Sequence, residues 1–265
     1  MQLPMIQGKL DQDGFFVYAA ADRAYFDRFG RALARSLTLN TKYGMHFHLY
    51  DPTNDQLIWC DQTDRVSVTW EYLLPKQMQS TIDFWSKSNL PEPYASRKNK
   101  MLGLKQFADN ANLVAWLYKT YYACMRFVRL SEIVTRPRRF LEIDVDGLVR
   151  RPFDTVMRDD AHRDFYLYEK EKGGHLAGAI LYTDKPQALA FIQDLATVIQ
   201  KEIERDNVYW FLDQHSLDQV ITGYRRGLLP ITYVDWRMQP DSAIWSAKGK
   251  RKDVNTFVQE LKRYS

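Results

Sequence analysis

Arg139-Phe140-Leu141-Glu142-Ile143-Asp144-Val145-Asp146-Gly147-Leu148-Val149-Arg150-Arg151-Pro152 is the stretch on which the reading of this chain turns. Phe140 to Ile143 has the length and flanks of a buried strand, with Pro137 before it and Gly147 after it. It delivers two carboxylates, Asp144 and Asp146, where the strand ends and the backbone begins to turn. Residues i and i+2 of an extended segment share a face, roughly 7 Å apart. At that spacing both carboxylates reach one hard divalent cation, directly or through water, and leave positions for phosphate oxygens. Asp11 and Asp13 have the same spacing with no strand before them, so spacing alone does not make a site.

Composition bounds the possibilities. A chain of 265 residues with 45% apolar content can bury a full core as one α/β domain or two small ones. The 16 Tyr, 14 Phe and 7 Trp suit both an aromatic core and stacking on sugars or bases. A formal charge of +4 fits an anionic ligand and falls short of the footprint of a dedicated nucleic-acid binder. Cys60 and Cys124 are the only cysteines, which excludes a disulfide framework and a cysteine-based zinc site. His46, His48, His162, His175 and His215 show no His-x-x-x-His spacing, and His46 and His48 share a strand face where packing or solvation accounts for them. No signal-like N-terminus and no run of about 18 apolar residues is present, so the expectation is a cytoplasmic protein without integral membrane association.

Outward from the central strand, strand-like and helix-like pieces alternate, the pattern of a mostly parallel sheet covered by helices. Phe15 to Ala20 reads as a first strand. Asp22 then caps a helix that places Tyr25, Phe26, Phe29, Leu33 and Leu37 at helical spacing and ends near Asn40. Met45–Tyr50 and Val66–Trp70 follow as strands, the second alternating Val66, Val68 and Trp70 as a half-exposed strand does. Residues 75–93 read as irregular. Helices are expected around 98–108 and from Leu113 to about Ser131. Strands at Phe165–Glu169 and Leu176–Tyr182 precede a helix from Pro186 to about Arg205 with apolar residues at 188, 192, 195, 199 and 203. A helix from Asp213 to Arg226, strands at Ile231–Trp236 and Ala243–Ser246, and a last helix capped by Asp253 with Val254, Phe257, Val258 and Leu261 inward complete the chain. No repeat or linker breaks it, so one domain is expected over residues 1–265.

Three more stretches carry chemistry. Ala20-Ala21-Asp22-Arg23-Ala24-Tyr25 runs from a strand end into a helix start, the place where open α/β sheets seat a nucleotide. There Asp22 can accept from a base N–H and Tyr25 can stack on the ring, or the pair is a helix cap and a core tyrosine. Trp210-Phe211-Leu212-Asp213-Gln214 sets an acid and an amide at a strand-to-helix turn, fit for sugar hydroxyls or, for Asp213, for capping. Ser246-Ala247-Lys248-Gly249-Lys250-Arg251-Lys252 places a glycine among cations before a helix, where backbone and Lys side chains can close on a diphosphate. A charge run this short also occurs as a solvated turn.

Jointly, and in this order, these motifs resemble those of the GT-A fold nucleotide-sugar glycosyltransferases, most closely the retaining glycogenin/galactosyltransferase-like family. The resemblance spans residues 15 to 252. It implies that Ala20, Ala21, Asp22 and Tyr25 hold uridine, that Asp144 and Asp146 bind Mn2+ or Mg2+, and that Asp213 and Gln214 contact donor sugar and acceptor. It also implies that Gly249 and Lys252 receive the diphosphate, Lys252 at the family's lysine position, with Lys248 and Lys250 of the same basic loop nearby. Ser246 stands where the family has a histidine as third metal ligand, and a hydroxyl binds manganese far more weakly than imidazole. The segment with Tyr121, Tyr122 and Arg126 looks like the family's helix before Asp-x-Asp, and Gly174 to Ala179 resembles its small-residue strand beneath the sugar, without the usual Asn-Ser.

The expected fold is therefore a single α/β GT-A (Rossmann-like) domain. Its nucleotide-binding part would cover about residues 14–150, its acceptor and sugar part about 151–252, and a C-terminal helix 253–264. The expected activity is metal-assisted transfer of a sugar from a UDP-sugar to an acceptor hydroxyl on a carbohydrate or another molecule, with retention; were the enzyme inverting, Asp213 would be the base. Arg136, Arg138, Arg139, Arg150, Arg151, Arg225 and Arg226 flank the central strand and a helix end, and suit an anionic acceptor; a hydroxylated base in DNA is a minority alternative. A nucleotidyltransferase, or a binding protein without catalysis, would share parts of the same set.

Overall fold

Seven consecutive buried positions, Gly44 to Tyr50, mark a strand covered on both faces, which only the middle of a sheet provides. In the computed structural model, residues 3–73, 80, 110–153, 162–169, 174–205, 207–208 and 211–265 are described, the side chains of 110–117 excepted. The strands are Gln7–Gly8 (β1), Phe16–Asp22 (β2), Gly44–Tyr50 (β3), Val66–Glu71 (β4), Phe140–Ile143 (β5), Gly147–Val149 (β6), Phe165–Glu169 (β7), His175–Tyr182 (β8), Arg226–Leu228 (β9), Val234–Asp235 (β10) and Ile244–Ser246 (β11). One sheet has the order β1-β4-β3-β2-β5-β8-β7-β9, and a smaller one the order β10-β11-β6. Pairing is parallel from β4 through β3 and β2 to β5, and again between β7 and β9. Strand β8 runs antiparallel between β5 and β7, and β1 antiparallel along β4.

The helices are Arg23–Tyr25 (α1), Arg31–Asn40 (α2), Asn54–Gln62 (α3), Asn110–Ile133 (α4), Pro186–Glu204 (α5), Leu212–Val220 (α6) and Asn255–Lys262 (α7). A π-helical turn, Phe26–Gly30, joins α1 to α2. One core cluster gathers Tyr121, Met125 and Val128 of α4 with Ile192, Leu195 and Ile199 of α5 against Phe16, Phe140 and Tyr182 of the sheet. On the other face Leu33 and Leu37 of α2 meet Val17, Phe47, Leu141 and Ile143, together with Val234 and Ile244 of the small sheet. Each such aliphatic side chain, fully buried, contributes about 1.5–3 kcal/mol. These two cores make a sheet covered on both sides, and the carboxyl ends of β2, β3 and β5 come out together at one edge.

Several expectations are corrected. Val66, Val68 and Trp70 are the less buried face of β4; Ser67, Thr69 and Glu71 are its buried face. That reversal is stable because the polar face is fully engaged. His46 Nδ1 meets Ser67 Oγ at 2.8 Å, both His46 Nε2 and His48 Nδ1 meet Thr69 Oγ1 at 3.1 Å, and Glu71 pairs with the buried Arg129 and accepts from Tyr121 at 2.9 Å. The helix expected to reach Arg226 ends at Val220, passes through a 3-10 turn at Ile221–Gly223, and gives way to β9, so Arg226 opens a strand. Strand structure in Ile231–Trp236 is confined to Val234–Asp235. Asp253 does not cap the last helix: Val254 occupies that position, 45% exposed, while Asp253 pairs with Arg28 at 2.7 Å. Helix α3, which the sequence reading omitted, carries a capping box in which Thr53 and Gln56 exchange side-chain and backbone hydrogen bonds. The irregular stretch 75–93 and the helix at 98–108 lie outside the described residues.

The buried histidines give this fold a defined acid sensitivity. Burial, helped by the charge of Arg138, lowers His46 to about 3. An imidazole held neutral in the fold leaves stability intact above the unfolded value of about 6.5, then erodes it as pH falls toward 3, because only the unfolded chain takes up the proton. Between pH 7 and pH 5 His46 should therefore account for about 2 kcal/mol of lost stability. In urea titrations at the two pH values, His46→Gln is expected to shrink the wild-type difference by about that amount; an unchanged difference would contradict it.

Candidate functional site

Strand β5 ends at Ile143 because the chain must turn there, and the Asp144 N–H donates to the Gly178 carbonyl of β8 at 3.2 Å as the last rung. Glu142 and Asp144 lie on the face that α4 covers, and Arg126 of α4 reaches into them. Its guanidinium donates to Asp144 Oδ1 at 2.5 Å, to Asp213 Oδ2 at 3.2 Å and to the Ala177 carbonyl at 2.8 Å, with Nε 3.5 Å from Glu142 Oε1. One cation thus joins the Asp-x-Asp turn, the floor strand β8 and the first turn of α6. Phe211, immediately before α6, has φ of +77°. A bulky side chain in the left-handed region is strained, and the strain sits where the chain swings Asp213 back toward Arg126.

A second cation joins the rest. Backbone pairing of β6 with β11 sets Ser246 opposite Gly147, and the Ala247 N–H donates to the Asp146 carbonyl at 3.0 Å. From the 3-10 turn Gly249–Asp253, Lys252 Nζ comes back to Asp146 Oδ2 at 2.6 Å and to Tyr25 Oη at 3.1 Å. It also lies 4.5 Å from the centroid of the Tyr25 ring and 5.6 Å from that of Phe29. Gly249 has φ of +58°, which lets the chain fold Lys252 inward. Lys248 is half-buried, its Nζ 5.1 Å from the Trp236 ring centroid. A Cβ at Gly178 would lie 2.4 Å from Asp144 Oδ2 and 3.2 Å from Lys248 Nζ, so glycine there keeps this space open.

The electrostatics follow. Burial raises Asp144, but Arg126, Lys248 and Lys252 override it and hold the carboxyl below its ordinary value. Asp146 is pushed up to about 6, first by burial and then by the charge of Asp144. Glu142 is raised to about 7 by burial, against the pull of Arg126 and the 2.9 Å hydrogen bond from Tyr182 Oη. Burial likewise raises Asp213, opposed by Arg126. Lys252 is raised: burial lowers it, and Asp146 more than compensates.

The site's residues do not fit the metal that the sequence resemblance implies. The third ligand is a serine hydroxyl, a poor partner for manganese. Asp144 and Asp146 each close on a protein cation through one oxygen. Asp146 Oδ1 and Ser246 Oγ, buried without a hydrogen-bond partner, stay open to an ion. One belongs to a carboxylate already paired with Lys252 and the other is a hydroxyl, so phosphate and water would have to supply most of the six or more oxygens a hard divalent ion takes. Among the described residues no group of three or more His, Cys, Asp or Glu side chains is arranged to hold a metal ion.

Most of the residues expected from sequence meet at this edge: Asp144, Asp146, Ser246, Asp213, Lys248, Lys252 and Tyr25 by the contacts above. Asp22 stands beside them at the end of β2 and caps α1, its Oδ1 accepting from the Tyr25 N–H at 2.7 Å. Ala20 is half-buried in β2, and Gln214 follows Asp213 in α6. Lys250 is exposed. Trp210 lies outside the described residues. Three of the flanking arginines are engaged in separate places: Arg138 donates to the Gln12 carbonyl at 2.6 Å, Arg150 lies 3.7 Å from the Trp245 ring centroid, and Arg225 pairs with Asp164 at 3.1 Å. Sequence reasoning left Glu142 unassigned and named Arg126 without a role. A charged residue inside a four-residue apolar strand was the available signal, since a buried charge requires a partner. His175 failed a metal spacing; its Nδ1 is held by Asp218 Oδ1 at 2.7 Å, one turn beyond Gln214.

No protein-family model matches the chain, and no curated protein sequence does. Solved structures do. The glycosyltransferase GlyE of Streptococcus pneumoniae TIGR4 is 15% identical, with a TM-score of 0.56 over 96% of this chain and 60% of its own. The galactosyltransferase LgtC, solved with donor and acceptor sugar analogues, is 11% identical, with a TM-score of 0.57 over 93% and 95%. Mouse xyloside xylosyltransferase 1 gives 8% identity and a TM-score of 0.50 over 90% and 99%. The chain thus has the GT-A glycosyltransferase fold, and spans less than two thirds of the length of GlyE. No helix among the described residues is long and apolar enough to cross a membrane.

Removing Arg126 leaves the buried Glu142 and Asp213 and the half-buried Asp144 without their shared cation, and breaking a buried pair in this way costs about 3–5 kcal/mol. Urea unfolding of Arg126→Ala at pH 8 is expected to show a loss of that size. A loss below about 1 kcal/mol would mean the guanidinium does not hold these carboxylates.

Proposed function

We propose that residues 1–265 act as one catalytic domain that transfers a sugar from a nucleoside diphosphate, UDP by preference, to an acceptor hydroxyl. The observation that carries this reading is the joining of four sequence-distant motifs by two cations. Lys252 touches Tyr25 and Asp146, and Arg126 touches Asp144 and Asp213. The shared fold with sugar transferases supports it.

In this reading the base lies on the Tyr25 ring, which is 37% exposed at the mouth of the site. Asp22 gives one oxygen to the helix cap, and its other accepts from a base N–H. The diphosphate then falls between Lys248 and Lys252, above Asp144 and Asp146. As the bond from the anomeric carbon to the β-phosphate oxygen breaks, its electron pair stays on that oxygen. Fixed ammonium groups lower the energy of the growing charge more than mobile water does. The acceptor oxygen bonds to the anomeric carbon and its proton passes to the departing diphosphate, on the same face of the sugar for a retaining reaction. Asp213, held by Arg126, and Gln214 beside it would orient the sugar. A divalent cation is assigned no step here, because the residues do not fit one.

Two measurements test this. Incubation with a panel of UDP- and GDP-sugars is expected to release UDP or GDP by slow hydrolysis without an acceptor, and Asp213→Asn to reduce that release at least about 100-fold. Cleavage between the two phosphates, giving sugar 1-phosphate instead of UDP or GDP, would mean nucleotidyl transfer. Tyr25→Ala is expected to raise the donor KM about tenfold, the worth of one stacked base at about 1–3 kcal/mol, with kcat nearly unchanged. A fall in kcat at constant KM would contradict stacking.

A further inference from the structure

We infer that the protein's own cations, Lys252 and Lys248, take the place of a divalent metal at the leaving diphosphate. The inference rests on the glycosyltransfer reading above and departs from what the Asp-x-Asp resemblance implies. Three observations point to it.

First, the position that would complete a metal shell is Ser246, fully buried in β11. Its place is fixed by backbone pairing with Gly147, so it cannot be exchanged for a better ligand by a small shift. Second, each carboxylate of the pair is turned to a cation from another part of the chain. Asp144 Oδ1 accepts from Arg126 at 2.5 Å and Asp146 Oδ2 from Lys252 at 2.6 Å. A metal bridging these two oxygens would have to displace both contacts, and one held instead by Asp146 Oδ1 would share its carboxylate with the Lys252 ammonium. Third, the lysines have donors to spare in the right place. An ammonium group carries three N–H bonds. Lys252 spends one on Asp146 and one on Tyr25, which leaves one for a phosphate oxygen. Lys248 Nζ lies in the space that Gly178 keeps clear beside Asp144. The aspartates then serve to aim the lysines, and Arg126 fixes Asp144.

The chemical consequence is a leaving group stabilised by charge-assisted N–H···O bonds in a fixed frame. The C–O bond to the β-phosphate breaks with its electrons moving onto oxygen, which Lys252 and Lys248 receive; no electron or proton beyond those of donor and acceptor is required. Lys248 and Lys252 would touch the substrate and so act as catalytic residues, whereas Asp144 and Asp146 would be positioning residues.

Binding separates this from a metal-dependent site. UDP is titrated calorimetrically into the full chain, once with EDTA and once with about 1 mM manganese, and manganese alone is titrated with detection of the free ion by electron paramagnetic resonance. The expected result is UDP affinity equal within about twofold in the two buffers, and a manganese signal that the protein does not diminish. Lys252→Met and Lys248→Met are each expected to weaken UDP binding about tenfold in EDTA, with unchanged far-UV circular dichroism. UDP binding that needs manganese, or manganese retained by the protein alone, would overturn the inference and leave the glycosyltransfer reading in place. Failure of UDP and GDP to bind in either buffer would overturn both.

Discussion

A largely buried guanidinium set among three carboxylates is the constraint from which the candidate site's edge of the molecule is built. Arg126 carries its charge in a largely buried position, and Asp144, Glu142 and Asp213 raise its affinity for the proton against the cost of burial. The same arrangement answers each acid's need for a partner. Since Asp144 ends β5, Asp213 begins α6 and Arg126 lies on α4, satisfying the charges places three elements at one point. Loss of any member leaves the others with an uncompensated desolvation cost, so the three elements support one another at this edge.

One turn along α4 the device is repeated for structure alone. Arg129 lies buried between Glu71 of β4 and the Pro4 carbonyl, and also donates to Glu132 at 2.9 Å. Tyr121, about two turns earlier, donates to the same Glu71. Helix α4 is therefore pinned across the parallel half of the sheet by polar contacts at both β4 and β5. Its axis cannot slide without breaking them, and the position of Arg126 at the carboxyl edge is inherited from that anchoring. Lys252 differs in kind: it arrives from a turn near the C-terminal end of the chain, is held by aromatic faces and one carboxylate, and is free to share its charge with an anion.

Legibility in the sequence divided along the same line. The central strand, the covering helix with Pro186 at its start, and the motifs ending in Asp22, Asp146, Asp213 and Lys252 were readable because each depends on local periodicity or on a short spacing. The polar face of β4 was not readable that way. Alternation identifies two faces, and which one is buried depends on His46, His48, Arg129 and Tyr121, all supplied by other elements. The early end of α6 was hidden for a similar reason, since β9 pairs with β7 and tertiary pairing outweighed helical pattern beyond Val220. Arg126 was visible only as one basic residue in a long amphipathic helix; its role needed the positions of three carboxylates more than ten residues away in sequence.

The most direct test of the central claim, that the four motifs form one donor site around two cations, is a crystal structure of the chain grown with UDP. The expected density has uracil on the Tyr25 ring beside Asp22 and the diphosphate against Lys248 and Lys252, with Arg126 still bridging Asp144 and Asp213. Nucleotide seated away from Lys252, or Asp213 found apart from Arg126, would contradict it.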